Sequence, residues 1–188
     1  MVPGTDMKKV LVPLAPGFEE IEAVTVIDVL RRAGIEVVVA GTQVGPIEGS
    51  RGIRVTADKM LEGVSAEEFD MIVLPGGGKG VENLQKHPRM APLLEEFFAK
   101  QKPVGAICAA PSLLAAAGLL RGKQATSHPS VKEKVAAASI YSEERVVTDG
   151  KLVTSRGPGT AMEFALKLVE ILAGPEKVSE LKAAMLVR

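Results

Sequence analysis

Apolar residues fall along this chain in two alternating textures. Short, nearly continuous runs recur at Lys8-Lys-Val-Leu-Val-Pro-Leu14, Ile35–Ala40, Met71-Ile-Val-Leu-Pro75 and Val104-Gly-Ala-Ile-Cys108, each bounded by glycine, proline or charge. Such runs suit strands covered on both faces, as in a parallel sheet. Between them the spacing becomes helical. The clearest helix is Glu19–Ala33, with acids in its first turn, Arg31 and Arg32 in its last, and Gly34 at the position of a left-handed cap. Glu22 falls on the same helical stripe as Val26, Val29 and Ala33, whereas Glu19 and Glu20 belong to an exposed-looking first turn.

Other elements follow from the same reading. Residues Gly41–Asp58 are short extended pieces broken by glycines, which predicts a small peripheral hairpin, and Leu61–Phe69 is a weak helical connector. Helices are expected at Val81–Leu84, Met90–Lys100, from Pro111, at Pro129–Ala138, Pro158–Leu172 and Glu176–Met185. A short strand is expected at Lys123–Ser127, and a hairpin at Arg145–Ser155 turning on Asp149-Gly150. Strands alternate with helices throughout, so the economical architecture is a doubly wound, mainly parallel α/β sheet with helices on both faces. Functional groups in such sheets gather beyond the carboxyl ends of the strands.

Composition narrows the possibilities. The 188 residues suit one well-cored domain at 8–188, with residues 1–7 read as a disordered lead-in. Acidic and basic residues balance at 23 each, which gives no electrostatic reason to expect nucleic acid or an anionic membrane as partner. A single cysteine forms no internal disulfide and no long apolar run is present, so a reducing, cytoplasmic setting is expected. One cysteine and two distant histidines do not have metal-ligand spacing, and no cofactor motif is found. The run Gly76-Gly-Gly-Lys-Gly80 lacks both the Ser or Thr of a phosphate loop and the spacing of a dinucleotide fingerprint.

The candidate chemistry gathers at strand ends. Cys108 closes an apolar run among Gly105, Ala106, Ala109 and Ala110 and precedes Pro111, a tight strand-to-helix turn in which unpaired helix N–H groups favour a thiolate. The same pattern fits a buried core cysteine, and local sequence leaves both open. Backbone N–H groups of Gly77 or Gly78, with that of Ala109, can form an oxyanion hole. Glu22, if buried on its stripe, holds its proton at raised pH and can exchange it with a thiol or substrate; an ordinary solvated acid is the alternative. His128 is held near a strand end by Pro129, where a Cys–His pair can assemble, and Ser155 with Arg156 sits in a loop suited to an anion.

Six stretches in register, Gly17–Glu22, Asp28–Gly34, Val73–Gly77, Ala106–Pro111, Thr126–Pro129 and Thr154–Thr160, closely resemble the ThiJ/PfpI superfamily. The branch they resemble contains the Parkinsonism-associated protein deglycase and its bacterial relatives. The resemblance implies a flavodoxin-like homodimer in which Cys108 is an oxidisable nucleophile and Glu22 its protonated partner. Gly77 and Ala109 would be backbone donors, His128 a nearby histidine, and Arg32, Arg51 and Ser155 would form or border an anion site near a subunit interface. Ala109 stands where the protease branch carries histidine, and the C-terminal helix from Glu176 resembles one that obstructs peptides near the site.

Two functional readings follow. In one, a cofactor-free glyoxalase or deglycase acts on methylglyoxal-type dicarbonyls or their early adducts on glycated proteins, giving hydroxy acids such as lactate. In the other, oxidation of Cys108 makes the protein an oxidative-stress sensor or redox-regulated chaperone for unfolded proteins. An amidase or peptidase is the weaker third.

Overall fold

The computed structural model describes residues 7–188, so the lead-in expected at 1–7 lies outside the described residues except for Met7. Five parallel strands form the centre: β1 (Lys9–Leu14), β2 (Glu36–Gly41), β6 (Met71–Leu74), β7 (Val104–Ile107) and β11 (Leu152–Ser155). The two-residue β5 (Lys59–Met60) and the antiparallel β10 (Val146–Asp149) complete a seven-stranded sheet in the order β10-β11-β7-β6-β1-β2-β5. This is a flavodoxin-like α/β fold. A separate hairpin, β3 (Pro46–Glu48) with β4 (Arg54–Thr56), stands beside it, and β8 (Gln124–Ala125) pairs with β9 (Ile140–Tyr141).

Strand alternation explains the two layers. Val10, Val12 and Leu14 of β1, with Met71 and Val73 of β6, face a core shared with α1 (Glu20–Arg32), α6 (Ala161–Ala173) and α7 (Pro175–Ala184). Leu11, Ile72 and Leu74 face the opposite core. That core is closed by α2 (Gly78–Lys86), α3 (Met90–Ala99), α4 (Pro111–Ala116) and α5 (Lys132–Ala136). Both faces are therefore apolar, which is why these strands read as continuous hydrophobic runs.

Three details differ from the sequence reading. Helix α2 begins at Gly78, before the expected Val81, because Gly78, Lys79 and Gly80 carry no apolar side chain to signal its first turn. The expected helix at Pro129–Ala138 is a 3₁₀ turn, Pro129–Val131, followed by the five-residue α5. The bridges β5 and β9 carry no periodic signal, being two residues each. Among the described residues, no helix is long and apolar enough to cross a membrane.

Candidate active site

Strand β7 ends at Ile107, and Cys108 lies just past it, where the chain turns with φ of 65°. A non-glycine residue in this left-handed region carries about 1–3 kcal/mol of strain and persists only when its surroundings hold it. Here they do. The Cys108 N–H donates to the Ser155 carbonyl at 3.0 Å, and the Cys108 carbonyl accepts from the His128 N–H at 2.9 Å. Pro111 opens α4 immediately after the bend. The thiol is partly exposed.

Glu22 enters the same place from α1. It is fully buried, its Oε2 accepts the Gly76 N–H at 2.7 Å, and Cys108 lies close beside the carboxyl, both meeting the space next to Gly76. Oε1 has no hydrogen-bond partner among the described residues. Burial pushes this carboxyl up to about 7, against the pull of the thiol and the Gly76 N–H, and the charge of Glu19 adds to the rise. The thiol is pushed up to about 12 by burial first, then by the ionised Glu22 beside it, while the N–H groups of Gly77 and Ala109 pull it down. Taken singly, the two values give the charge to Glu22. Charge on either group opposes charge on the other, so the two titrate as a pair, and burial holds the carboxyl above its ordinary range.

Two glycines make this approach feasible. A methyl at Gly76 would lie 2.5 Å from Glu22 Oε2 and 2.6 Å from Cys108 Cβ. Gly77, at φ of 89°, would place one 2.3 Å from the Gly17 carbonyl oxygen. The glycine run is thus a docking seam for the loop before α1. Of the two backbone donors suggested by sequence, it is the Gly77 N–H that, with that of Ala109, acts on the thiol and lowers its pKa.

The remaining candidates are placed differently. The His128 imidazole does not bond the thiol; Nδ1 accepts from the Ser130 N–H at 3.1 Å and meets Ser130 Oγ at 2.8 Å, which puts the proton of the neutral ring on Nε2. Ser155 is buried, with its hydroxyl donating to the Arg145 carbonyl and meeting Thr160 Oγ1, so what it offers the site is its carbonyl. Arg156 donates to the carbonyls of Ser127 and Glu143, each at 3.2 Å, and ties two loops together. Arg32 pairs with Asp28 on its own helix at 2.6 Å, and the exposed Arg51 side chain donates to the neighbouring Ser50 carbonyl. No group of three or more His, Cys, Asp or Glu among the described residues could hold a metal ion.

Glu20 overturns its exposed-looking position in the pattern. It is 4% exposed, and its carboxylate accepts from Ser50 Oγ and the N–H groups of Arg51 and Ile53, clamping the β3–β4 loop to the start of α1. Burial alone would raise its pKa, but these donors outweigh it and the carboxyl is held below its ordinary range. Glu20→Ala is expected to cost about 2–4 kcal/mol in denaturant unfolding, because buried donors lose a charged acceptor. A depressed carboxyl contributes stability above the unfolded value of about 4.3, so the difference between wild type and variant should shrink as pH falls below it.

Comparison with known proteins supplies a lineage. The model of the DJ-1/PfpI family matches residues 8–171. Protein dj-1beta of Drosophila melanogaster is 46% identical over 182 residues, covering 96% of this chain and 97% of the relative. Its crystal structure superposes with a TM-score of 0.93 at 44% identity, covering 97% of this chain and 99% of that one. An oxidised DJ-1 from Toxoplasma gondii, 42% identical, gives a TM-score of 0.90 over 95% of this chain and 98% of its own. A protein of Caenorhabditis elegans named glutathione-independent glyoxalase DJR-1.2 is 40% identical over 176 residues, 93% of this chain and 94% of the relative. Similar from end to end to such relatives, and matched by the family model over most of its length, the chain belongs to the DJ-1/PfpI family.

Proposed function

We propose that this protein is a glyoxalase-type enzyme that converts methylglyoxal-like dicarbonyls, free or released from early adducts on proteins, into hydroxy acids. The observation that carries this reading is the buried Glu22 carboxyl beside the half-buried Cys108, with the Gly77 and Ala109 N–H groups acting on the thiol. Support also comes from membership of a family that includes a relative named as a glyoxalase.

The reacting form has its proton on Glu22 and its charge on Cys108. Oε2 already accepts from Gly76, so the proton belongs on Oε1, the oxygen with no donor. In that state the carboxyl no longer repels the thiolate and instead donates to it, and Gly77 and Ala109 add two further N–H donors.

The sulfur adds to the aldehyde carbon as the carbonyl π bond opens onto oxygen, which takes the Glu22 proton and gives a hemithioacetal. The resulting carboxylate removes the proton from that carbon, and the electron pair forms an enediolate with the neighbouring carbonyl. Protonation of the second carbon, with transfer of the first carbon's hydroxyl proton to the oxygen on the second, leaves the thioester of a hydroxy acid. Water cleaves it to the hydroxy acid and restores the thiol. One carbon is oxidised and its neighbour reduced, so no external oxidant or cofactor enters the balance. The His128 ring, beside the elbow, is assigned to help with proton transfer or water.

The test is lactate formation from methylglyoxal under reducing conditions, with the pH dependence of Cys108 alkylation measured alongside. If Glu22 holds the proton, Glu22→Ala should raise the alkylation midpoint by about one unit, since the thiolate loses a donor. A fall in the midpoint would place the charge on Glu22 and overturn the assignment.

The same site favours a second reading, because backbone donors and a carboxylic acid around a partly exposed thiol would also hold a sulfinate. Mild peroxide followed by mass spectrometry, with a holdase assay, tests it; oxidation-independent behaviour would sink it. We also infer a homodimer in a reducing, cytoplasmic setting. Ile21 and Val24 on α1 and Ile53 in the hairpin loop are 56%, 46% and 56% exposed, and Glu20 links the loop to the helix. A monomer in sedimentation at micromolar concentration would contradict this.

A further inference from the structure

We propose that Glu19 is a positioning residue that orients the Glu22 carboxyl against Gly76 and, through its negative charge, keeps the proton on Glu22 beside the thiol. This inference rests on the proton assignment made above. It starts from a closed ring of three hydrogen bonds. The Glu19 N–H donates to the Gly76 carbonyl at 3.0 Å, the Gly76 N–H donates to Glu22 Oε2 at 2.7 Å, and the Glu22 N–H donates to Glu19 Oε2 at 2.8 Å. Each bond orients the next. The strand end that carries the thiol's neighbours, the helix start and the active carboxyl therefore move as one unit.

Glu19 also departs from the usual choice for its position. It is the N-cap of α1, at φ of −84° and ψ of 122°, where Ser, Thr, Asp and Asn are preferred. A glutamate there performs the capping bond, as those residues would, and adds a formal charge one helical turn from a buried acid. That charge opposes ionisation of Glu22, whereas a serine cap would not. The extra charge is a cost to an ordinary helix start only where another acid must ionise nearby. Here ionisation of that acid is what the proposed chemistry has to prevent before the substrate arrives.

The groups that bear on Glu22 from the surrounding elements support the assignment. From the elbow comes the Cys108 thiol, and from the cap Glu19. Glu20 turns away to the hairpin loop, and Lys79 at the start of α2 pairs with Glu82. Among the groups acting on Glu22, Glu19 thus brings the opposing charge, and Cys108 is the partner it regulates.

Glu19→Gln and Glu19→Ser both retain an oxygen for the Glu22 N–H and remove the charge. The readouts are the pH profile of Cys108 alkylation by iodoacetamide, thermal stability, and kcat and KM for methylglyoxal. Both variants should melt close to wild type. Both should show an alkylation midpoint raised by roughly half to one unit, and at about pH 6 a rate roughly three- to tenfold lower. kcat should fall with KM little changed, and Glu19→Asp should restore the wild-type profile. Profiles identical to wild type, with a wild-type midpoint below that of an ordinary thiol, would reduce Glu19 to a helix cap and leave the Glu22–Cys108 reading intact. A wild-type midpoint at or above the ordinary thiol value of about 8.5 would overturn both.

Discussion

Cys108→Ser is expected to reduce lactate formation from methylglyoxal by about a thousandfold or more while leaving the fold intact. The reason is the chemistry of the bond to be made. A serine hydroxyl on the same elbow would meet Gly77, Ala109 and Glu22, but it does not ionise near neutral pH, and before addition Glu22 already holds its proton and has no free pair with which to deprotonate the hydroxyl. No imidazole is bonded to this position to act as base, since His128 Nδ1 is engaged by Ser130. The oxygen is smaller than sulfur and should fit without strain beyond that already present at φ of 65°. Chiral analysis of the product in D2O extends the test. Wild type should yield one lactate enantiomer with deuterium at the former ketone carbon, and retention of full activity by the serine variant would remove the cysteine from the mechanism.

Gly76→Ala should be nearly as damaging, by a different route. Its methyl would meet Glu22 Oε2 at 2.5 Å, Cys108 Cβ at 2.6 Å and the Ile107 carbonyl oxygen at 3.0 Å. These atoms come from α1, the elbow and β7, and two of them belong to or adjoin backbone that cannot swing aside. Relief requires Glu22 to leave the Gly76 N–H or the loop to withdraw from the elbow. Either breaks the alignment of carboxyl and thiol. The expected result is a loss of about 2–4 kcal/mol in unfolding free energy and at least about a hundredfold in activity. Gly78 provides the internal control. It is two residues on, opens α2, and a methyl there would have nothing within 4 Å. Gly78→Ala should therefore be neutral or slightly stabilising, as expected where alanine replaces glycine in a compatible helix. Equal damage at both positions would point to general intolerance of this loop rather than to crowding at the active pair.

Much of the site was legible before any tertiary information. The apolar run into Cys108 and the proline after it mark an elbow, and the stripe of Glu22 with Val26 and Val29 puts an acid on an apolar face, though the pattern leaves open whether it is buried or solvated. Both are properties of one element at a time, and periodicity reports them. Glu20 shows where that stops. Its donors are largely backbone N–H groups from a loop about thirty positions away, and a backbone N–H has no residue identity to announce it. Ser155 and Arg156 illustrate the converse. Their types suggest anion binding, but the fold engages them with carbonyls and a neighbouring hydroxyl.

The sequence by itself determined the order of strands and helices, the two apolar faces of the sheet and the address of the cysteine, because burial of side chains imposes periods that can be read locally. Only the tertiary structure decided what the cysteine meets. Parallel pairing set β7 between β6 and β11, so that the Gly76-Gly77 turn, the Ser155 carbonyl and the elbow end side by side. The docking of α1 then brought Glu22 onto the Gly76 N–H. Those contacts join segments roughly thirty to ninety residues apart through main-chain atoms common to every residue, and their alignment follows from strand register and glycine-seam packing rather than from any local pattern.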